Sequence, residues 1–149
     1  MNIQEQNIDL FEFLEENPNY STAHCISSDC RMGAGIALDF HKNFHLMKQN
    51  LLNRSEPSHV GKCLEYKVPN KNIYVFNLIT KRVFRDKPSY RSLENSLVDM
   101  KQQMIKRNVS NLAIPMIGSG LDRLNWFKVK RTIQSLFKEE GFNIVVCYL

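Results

Sequence analysis

The sequence predicts an α/β protein with a mixed, mostly parallel central sheet and helices on both faces, in a single domain that spans residues 1–149. Strand-like and helix-like segments alternate along the chain, and strands that feed helices and return build a parallel sheet. A chain of 149 residues has the length of one domain. Apolar residues make up 43% and charged residues 23%, a globular composition that argues against collagen, coiled coil and disorder.

Six segments have the composition of β-strands. Short apolar runs, or alternating apolar and polar residues, indicate strands when β-branched and aromatic side chains are frequent. Residues 72–79 (NIYVFNLI) are the clearest case, and residues 2–6 the weakest. Residues 53–61 (NRSEPSHVG) are predicted to form a surface loop. In chain order the predicted strands are residues 2–6, 20–26, 62–68, 72–79, 111–117 and 143–149.

Four segments have the patterns of helices. The first is expected to begin after Asp9, whose side chain can cap it, and the last to end before Gly141. The third is the clearest because four apolar residues recur at helical spacing, namely Leu93, Leu97, Met100 and Met104. In chain order the predicted helices are residues 10–16, 35–44, 89–106 and 126–140.

The charge of the chain favours anionic partners. Twenty Lys and Arg residues against fifteen Asp and Glu residues give a net charge of +5, which does not distinguish a polymer from a small phosphate. No run of 18 apolar residues is present, and the N-terminal residues lack the order of a secretory signal. We therefore expect an intracellular protein, nuclear or cytoplasmic, with no membrane partner.

The four cysteines, Cys25, Cys30, Cys63 and Cys147, show no CxxC pair and no paired metal-ligand spacing. Reduced thiols and no metal site are therefore expected. Zinc held by His24, Cys25 and Cys30 is a weaker alternative, because a fourth ligand has no obvious partner. A nucleophilic Cys25 or Cys30 is also weaker, since His24 in a strand would point to the opposite face from Cys25.

Two glycine-bearing turns each follow a predicted strand and precede a predicted helix. They are residues 31–37 (RMGAGIA) and 117–123 (IGSGLDR). Small residues let backbone N–H groups approach phosphate oxygens, and the following helix N-terminus adds partial positive charge. Two such turns at opposite ends of one domain suggest a clamped diphosphate, although tight turns without a ligand are the alternative. Neither turn matches GxxxxGK[ST] or a full GxGxxG, which argues against an NTPase or a dehydrogenase.

Lys81 and Asp122 are the candidate catalytic pair. Lys81 follows a predicted strand, so its side chain lies near the same carboxyl edge as the glycine turns. Its amine can contact phosphate or, if Arg82 and Arg85 lower its pKa, attack an anomeric carbon, while a solvated charge is the alternative. Asp122 directly follows a glycine turn, where proton transfer is one role and capping of the next helix the other.

Four segments make the chain similar to a known family. They are residues 23–37 (AHCISSDCRMGAGIA), 78–81 (LITK), 87–90 (KPSY) and 114–126 (IPMIGSGLDRLNW). Together they resemble the terminal ADP-ribose protein glycohydrolase branch of the macrodomains, in order and over nearly the whole chain. The resemblance implies a three-layer α/β/α sandwich that binds ADP-ribose in a cleft without a cofactor or metal.

The resemblance also implies an activity. The enzyme would remove ADP-ribose from Glu and Asp side chains of ADP-ribosylated proteins and deacylate O-acyl-ADP-ribose. Lys81 would form a transient covalent adduct with the distal ribose, and Asp122 would move protons. ADP-ribosylated nucleic-acid ends are a further expected partner, and the expected state is a monomer. A non-catalytic reader of ADP-ribose and a nucleic-acid binder with the basic segment 81–87 are the alternatives.

The resemblance assigns parts of the ligand to parts of the chain. Asp9 would accept from the adenine amino group, residues 33–36 would contact the distal ribose and phosphate, and residues 118–121 the diphosphate. The full set of expected ligand-binding residues is Asp9, Leu10, His24, Cys25, Ile26, Met32, Gly33, Ala34, Gly35, Ile36, Thr80, Pro115, Ile117, Gly118, Ser119, Gly120 and Leu121. The chain departs from the family pattern at Ser119, where relatives often carry cysteine, and at Asn7-Ile8, where Lys-Gly is more usual.

Overall fold

The computed structural model describes residues 2–54 and 59–149, and within these ranges six strands form one mixed sheet. The strands are β1 (Asn2–Asn7), β2 (Ser21–Ser27), β3 (Cys63–Lys67), β4 (Tyr74–Lys81), β5 (Asn111–Ile114) and β6 (Asn143–Tyr148). Their order across the sheet is β1-β6-β5-β2-β4-β3. Only the β3–β4 pair is antiparallel among these strands, so the predicted mixed, mostly parallel sheet is confirmed.

Helices cover both faces of the sheet. They are α1 (Leu10–Glu16), α2 (Gly35–Asn43), α3 (Met47–Leu52), α4 (Tyr90–Lys106) and α5 (Trp126–Leu136). On one face α1, α2 and α3 enclose a core around Phe13, Phe40 and Met47. On the other face α4 and α5 enclose a second core that includes Met100 and Ile133. The predicted α/β/α sandwich is therefore confirmed.

Side chains at the helix starts explain where the helices begin. The Asp9 carboxylate accepts from the backbone N–H groups of Phe11 and Glu12, both at 3.1 Å, and so caps α1. Ser89 caps α4 in the same manner through the N–H of Ser92 at 3.0 Å. Such caps satisfy N–H groups that have no partner within the helix. The predicted starts of both helices are confirmed.

Several predicted boundaries were wrong. The strand predicted over residues 111–117 ends at Ile114, because Pro115 has no N–H to donate to a neighbouring strand. The helix predicted over residues 126–140 ends at Leu136, and Gly141 with φ +102° lies in the turn before β6 instead. The strand predicted over residues 72–79 forms instead over Tyr74–Lys81, so Lys81 is the last residue of β4.

The helix α3 was missed because it has only six residues and too few turns to show a period. Met47 and Leu51, four residues apart, are its buried side chains. Residues 55–58 of the predicted surface loop lie outside the described residues. In the part of the chain that is described, no helix is long and apolar enough to cross a membrane.

Candidate active site

A cavity of about 750 Å³ lies at the carboxyl ends of the parallel strands. Residues from the ends of β2, β4 and β6 and from the loop after β5 line it. Crevices at this edge are where sheets of this class bind ligands, because the loops that follow the strands converge there. A volume of this size is that of a pocket for a small molecule.

The first glycine turn forms one wall and leads into α2. Ala34 occupies the N-cap position of α2 and makes no side-chain hydrogen bond to the helix. The first N–H groups of α2 are therefore without a side-chain cap, and they lie beside the cavity, which Ala34, Gly35 and Ile36 line. Uncapped N–H groups at a helix N-terminus attract anions, especially phosphate.

The second glycine turn forms the facing wall. Gly118 has φ +76°, and its carbonyl accepts from the N–H of Leu124 at 2.7 Å, which closes the turn. The Ser119 hydroxyl donates to the carbonyl of Met116 at 2.7 Å, so this side chain stabilises the turn. The two turns approach each other at Gly35 and Leu121, since a Cβ added to Gly35 would lie 2.8 Å from Leu121 Cδ1.

Lys81 and Asp122 lie together at this edge. The Lys81 Nζ donates to Asp122 Oδ1 at 2.8 Å, and the two side chains are 15% and 16% exposed. Lys81 comes from the end of β4 and Asp122 from the turn after β5, so the fold, not proximity in the chain, brings them together. Both line the cavity. An amine and a carboxylate at this distance can exchange a proton.

Four of the expected ligand-binding residues do not line the cavity: Asp9, Leu10, His24 and Thr80. Asp9 caps α1, and Leu10 and Thr80 are buried. The side chain of His24 lies in the core, where its ring stacks on Phe40 at 3.9 Å between centroids and its Nε2 is 2.6 Å from Asn77 Oδ1. The remaining thirteen residues of that set line the cavity.

Burial of His24 lowers its pKa to about 4, despite the hydrogen bond to Asn77, which favours the charged form. The imidazole is therefore neutral at neutral pH. Because Nε2 faces an amide oxygen that can only accept, Nε2 carries the proton and donates. His24 packs on the face of α2, and Cys25 contacts the opposite core, as the strand alternation predicts.

The thiols near the cavity are poor nucleophiles. Burial and the negative charge of Asp122 raise the pKa of the Cys25 thiol far above its usual range. Burial and the charge of Asp9 raise the pKa of Cys147 to about 11. Thiolates, not thiols, attack and bind metals, so neither residue fits those roles at neutral pH. Across residues 2–54 and 59–149, no three His, Cys, Asp or Glu side chains are grouped to hold a metal ion.

The structure adds cavity residues that the sequence did not indicate. Cys147 and Tyr148 reach the cavity from the end of β6, and Phe84 and Lys87 reach it from the loop after β4. Cys147 and Tyr148 could have been identified from the position of β6 beside β5, since the carboxyl ends of parallel strands share one edge of the sheet. The order of strands in the sheet was not predicted.

An α/β/α sandwich with an anion-suited cavity between two glycine turns defines a nucleotide-binding type of domain, in which a lysine and an aspartate are paired at the cavity wall. Comparison with known proteins makes this assignment specific. The family model of the Macro domain matches residues 23–133. The chain belongs to the macrodomain family.

Three known proteins illustrate the relationship. The chain is 44% identical over 126 residues to ADP-ribose glycohydrolase OARD1 of Homo sapiens, covering 85% of this chain and 80% of that protein. It is 28% identical over 138 residues to the DNA ADP-ribosyl glycohydrolase of Thermus aquaticus, covering 89% of this chain and 38% of that protein. The solved macrodomain of Thermus aquaticus DarG superposes with a TM-score of 0.85 at 25% identity, covering 99% of this chain and 98% of that one.

Proposed function

We propose that the protein binds ADP-ribose in the cavity and hydrolyses the bond between its distal ribose and a carboxylate. The observation that carries the proposal is the 2.8 Å contact between Lys81 Nζ and Asp122 Oδ1 at the cavity wall. The similarity to an ADP-ribose glycohydrolase over 85% of the chain supports the same reaction class. A reader without activity is less well supported, because binding alone does not require this pair.

The two glycine turns are the proposed diphosphate site. The uncapped N–H groups at the start of α2 and the backbone of residues 118–121 face each other across the cavity. Oriented N–H groups bind phosphate oxygens without a metal ion. The distal ribose would then lie toward Lys81, and the adenine toward the wall formed by Cys147 and Tyr148.

In the proposed reaction Asp122 first takes a proton from the Lys81 ammonium, because only the neutral amine can attack. The amine nitrogen then forms a bond to the anomeric carbon of the distal ribose. The bond from that carbon to the carboxylate oxygen breaks, and its electron pair leaves with the carboxylate. A proton passes from the adduct nitrogen to the ring oxygen as the ring C–O bond breaks, which leaves a protonated Schiff base. Water adds to its carbon and loses a proton, the electron pair of the C–N bond returns to the nitrogen, and free ADP-ribose is released. Asp122 then returns its proton to the Lys81 amine.

The proposed substrates are proteins ADP-ribosylated on Glu or Asp, and O-acyl-ADP-ribose, from which the acyl group is removed. ADP-ribosylated nucleic-acid ends are a second candidate. The segment after β4 carries Arg82, Arg85 and Lys87 beside one exposed aromatic ring, and such surfaces bind single strands. The Thermus aquaticus relative, a DNA ADP-ribosyl glycohydrolase, supports the same candidate.

The test compares wild-type protein with Lys81→Ala and Asp122→Asn on a peptide ADP-ribosylated at glutamate. Because proton transfer contributes about 10² to 10⁴-fold, Asp122→Asn should lower kcat by at least that much, and Lys81→Ala should abolish turnover. Lys101→Ala is the matched control, since Lys101 has a similar 2.8 Å ion pair with Glu139 on the surface. It should keep the wild-type kcat.

Borohydride added during turnover tests the covalent step. Reduction of the Schiff base should leave ADP-ribose on the peptide that contains Lys81, and not in the Asp122→Asn protein. Turnover that persists in Lys81→Ala would exclude the lysine mechanism and favour direct attack by water. Binding of ADP-ribose without turnover by the wild-type protein would favour the reader.

A further inference from the structure

Arg31 and Phe84 are in contact at the cavity, and neither residue has a role in the reaction proposed above. The Arg31 guanidinium carbon lies 4.2 Å from the centroid of the Phe84 ring. Arg31 belongs to the loop after β2, and Phe84 to the loop after β4, and both line the cavity. The Phe84 side chain is 46% exposed, so the pair lies at the surface of the cavity and not in the core.

The backbone on both sides of Arg31 is fixed. Cys30 with φ +56° and Met32 with φ +47° adopt the left-handed region, and their side chains are buried. The Asp29 carboxylate accepts from the N–H of Arg31 at 3.2 Å, and Lys48 Nζ donates to its carbonyl at 2.8 Å. Two residues with side chains adopt φ > 0 only where the surroundings enforce it. The surroundings of the loop therefore hold the backbone at Arg31 in place.

The loop that carries Phe84 is tied to the same place. The N–H of Ser28 donates to the carbonyl of Lys81 at 2.9 Å, and the Ser28 hydroxyl donates to the carbonyl of Arg82 at 2.7 Å. Phe84 is three residues beyond Lys81. The Arg31–Phe84 contact is therefore near the Lys81 end of the cavity, where the group attached to the distal ribose would lie under the proposed function.

The charge of Arg31 is available to a ligand. Within residues 2–54 and 59–149, no carboxylate is within ion-pair distance of its guanidinium. Lys81, by contrast, is paired with Asp122, and Asp86 is the acidic residue that also lines this end of the cavity. A guanidinium that lies over an aromatic ring is attracted to the ring face and can still donate its N–H groups to a planar anion.

We propose that the Arg31 guanidinium receives the carboxylate that leaves the distal ribose, and that Phe84 positions it. This inference rests on the proposed glycohydrolase function. As the bond from the anomeric carbon to the carboxylate oxygen breaks, its electron pair leaves with that oxygen, and two N–H groups of Arg31 can donate to the resulting anion. A bidentate guanidinium matches a carboxylate in shape as well as charge. Arg31 is thus a specificity-determining residue for carboxylate-linked ADP-ribose.

The experiment measures kcat/KM of Arg31→Ala, Arg31→Lys, Phe84→Ala and Phe84→Tyr on two substrates. One is a glutamate-ADP-ribosylated peptide, and the other is an oligonucleotide that carries ADP-ribose on a terminal hydroxyl group, so that its leaving group is not a carboxylate. A charge-assisted hydrogen bond corresponds to about 10 to 100-fold, so Arg31→Ala should lower kcat/KM on the peptide by that factor. It should lower kcat/KM on the oligonucleotide by a smaller factor. Any contribution of Arg31 to binding of the diphosphate lowers kcat/KM on both substrates equally, so the ratio of the two losses isolates the carboxylate role. Arg131→Ala, an exposed arginine on α5, is the control.

The conservative variants separate positioning from folding. Arg31→Lys and Phe84→Tyr should restore part of the peptide activity, and Phe84→Ala should add little loss in the Arg31→Ala background, because both act through one contact. Equal losses on both substrates would overturn the carboxylate role, and a larger loss on the oligonucleotide would overturn it in favour of nucleic-acid binding. Wild-type turnover with an unaffected Arg31→Ala would refute this inference alone. Absence of wild-type turnover would refute the proposed function.

Discussion

Gly118 and Gly120 lie two residues apart in the second glycine turn, yet alanine should affect them in opposite ways. Gly118 has φ +76°, a conformation that residues with a Cβ rarely adopt. A Cβ there would lie 3.1 Å from Leu124 Cδ1 and 3.4 Å from Leu93 Cδ2. At Gly120 a Cβ would meet no described atom within 4 Å, and φ is not in the left-handed region. Gly118→Ala and Gly120→Ala therefore form a matched pair.

The expected magnitudes follow from these conformations. The left-handed region costs a residue with a Cβ about 1–2 kcal/mol, and alanine recovers about 0.4–1 kcal/mol by restricting the unfolded chain. Gly118→Ala should therefore lower the free energy of unfolding by about 1 kcal/mol, or the Tm by about 2–4 °C for a chain of this length. Gly120→Ala should leave it unchanged or raise it by less than about 1 kcal/mol.

Thermal unfolding with and without ADP-ribose separates stability from binding. Gly120 lines the cavity, so under the proposed function an added methyl group meets the ligand and reduces the Tm shift that ADP-ribose produces. The reasoning fails if Gly118→Ala is as stable as wild type, or if Gly120→Ala is destabilised to the same extent. An undiminished ADP-ribose shift in Gly120→Ala would refute the placement of the ligand against this turn.

Three further predictions concern His24, Phe40 and Cys25. Burial lowers the folded-state pKa of His24 to about 4, below about 6.5 in the unfolded chain. The unfolded state therefore binds the proton more readily, and stability should fall by up to about 1.4 kcal/mol per pH unit between pH 6.5 and 4; urea unfolding of His24→Gln should lack that contribution. Phe40→Ala, at a fully buried position, should cost about 3–5 kcal/mol in urea unfolding, and a loss below 1 kcal/mol would contradict the packing. Iodoacetamide at pH 7.5 should label Cys25 far more slowly than free cysteine, because the raised pKa keeps its thiol protonated; labelling at an equal rate would refute this.

The sequence predicted the edge of the sheet at which the site lies. The alternation of patterns identified the strands that end at Ser27, Lys81 and Ile114, within a few residues in each case. Parallel strands place their carboxyl ends together, so the predicted parallel sheet was enough to bring the two glycine turns and Lys81 to one cavity. This inference did not need the order of the strands.

Features that depend on tertiary packing were not predicted. His24 was predicted to contact the bound ligand, but its ring stacks on Phe40 of α2. This contact depends on where α2 packs against the sheet, which the sequence pattern does not give. The Arg31–Phe84 contact joins loops 53 residues apart and has no local pattern. The sequence allows Asp9 either to contact adenine or to cap a helix, and the observed contacts are those of a helix cap.

Under the proposed mechanism, the ion pair between Lys81 and Asp122 must lose its charges before the amine can attack. A paired ammonium has no lone pair for attack, and a side-chain exposure of about 15% limits the water that could separate the two charges. Transfer of a proton from Lys81 to Asp122 removes both charges at once. This transfer becomes easier when a ligand displaces water from the cavity, because surroundings of low polarity destabilise the charged pair more than the neutral pair. The same ligand brings a diphosphate whose negative charge favours the ammonium instead. The distance of the phosphates from Lys81 therefore decides which effect prevails. Phosphates held at the start of α2 would favour the proton transfer, whereas phosphates beside Asp122 in the second glycine turn would favour the ammonium.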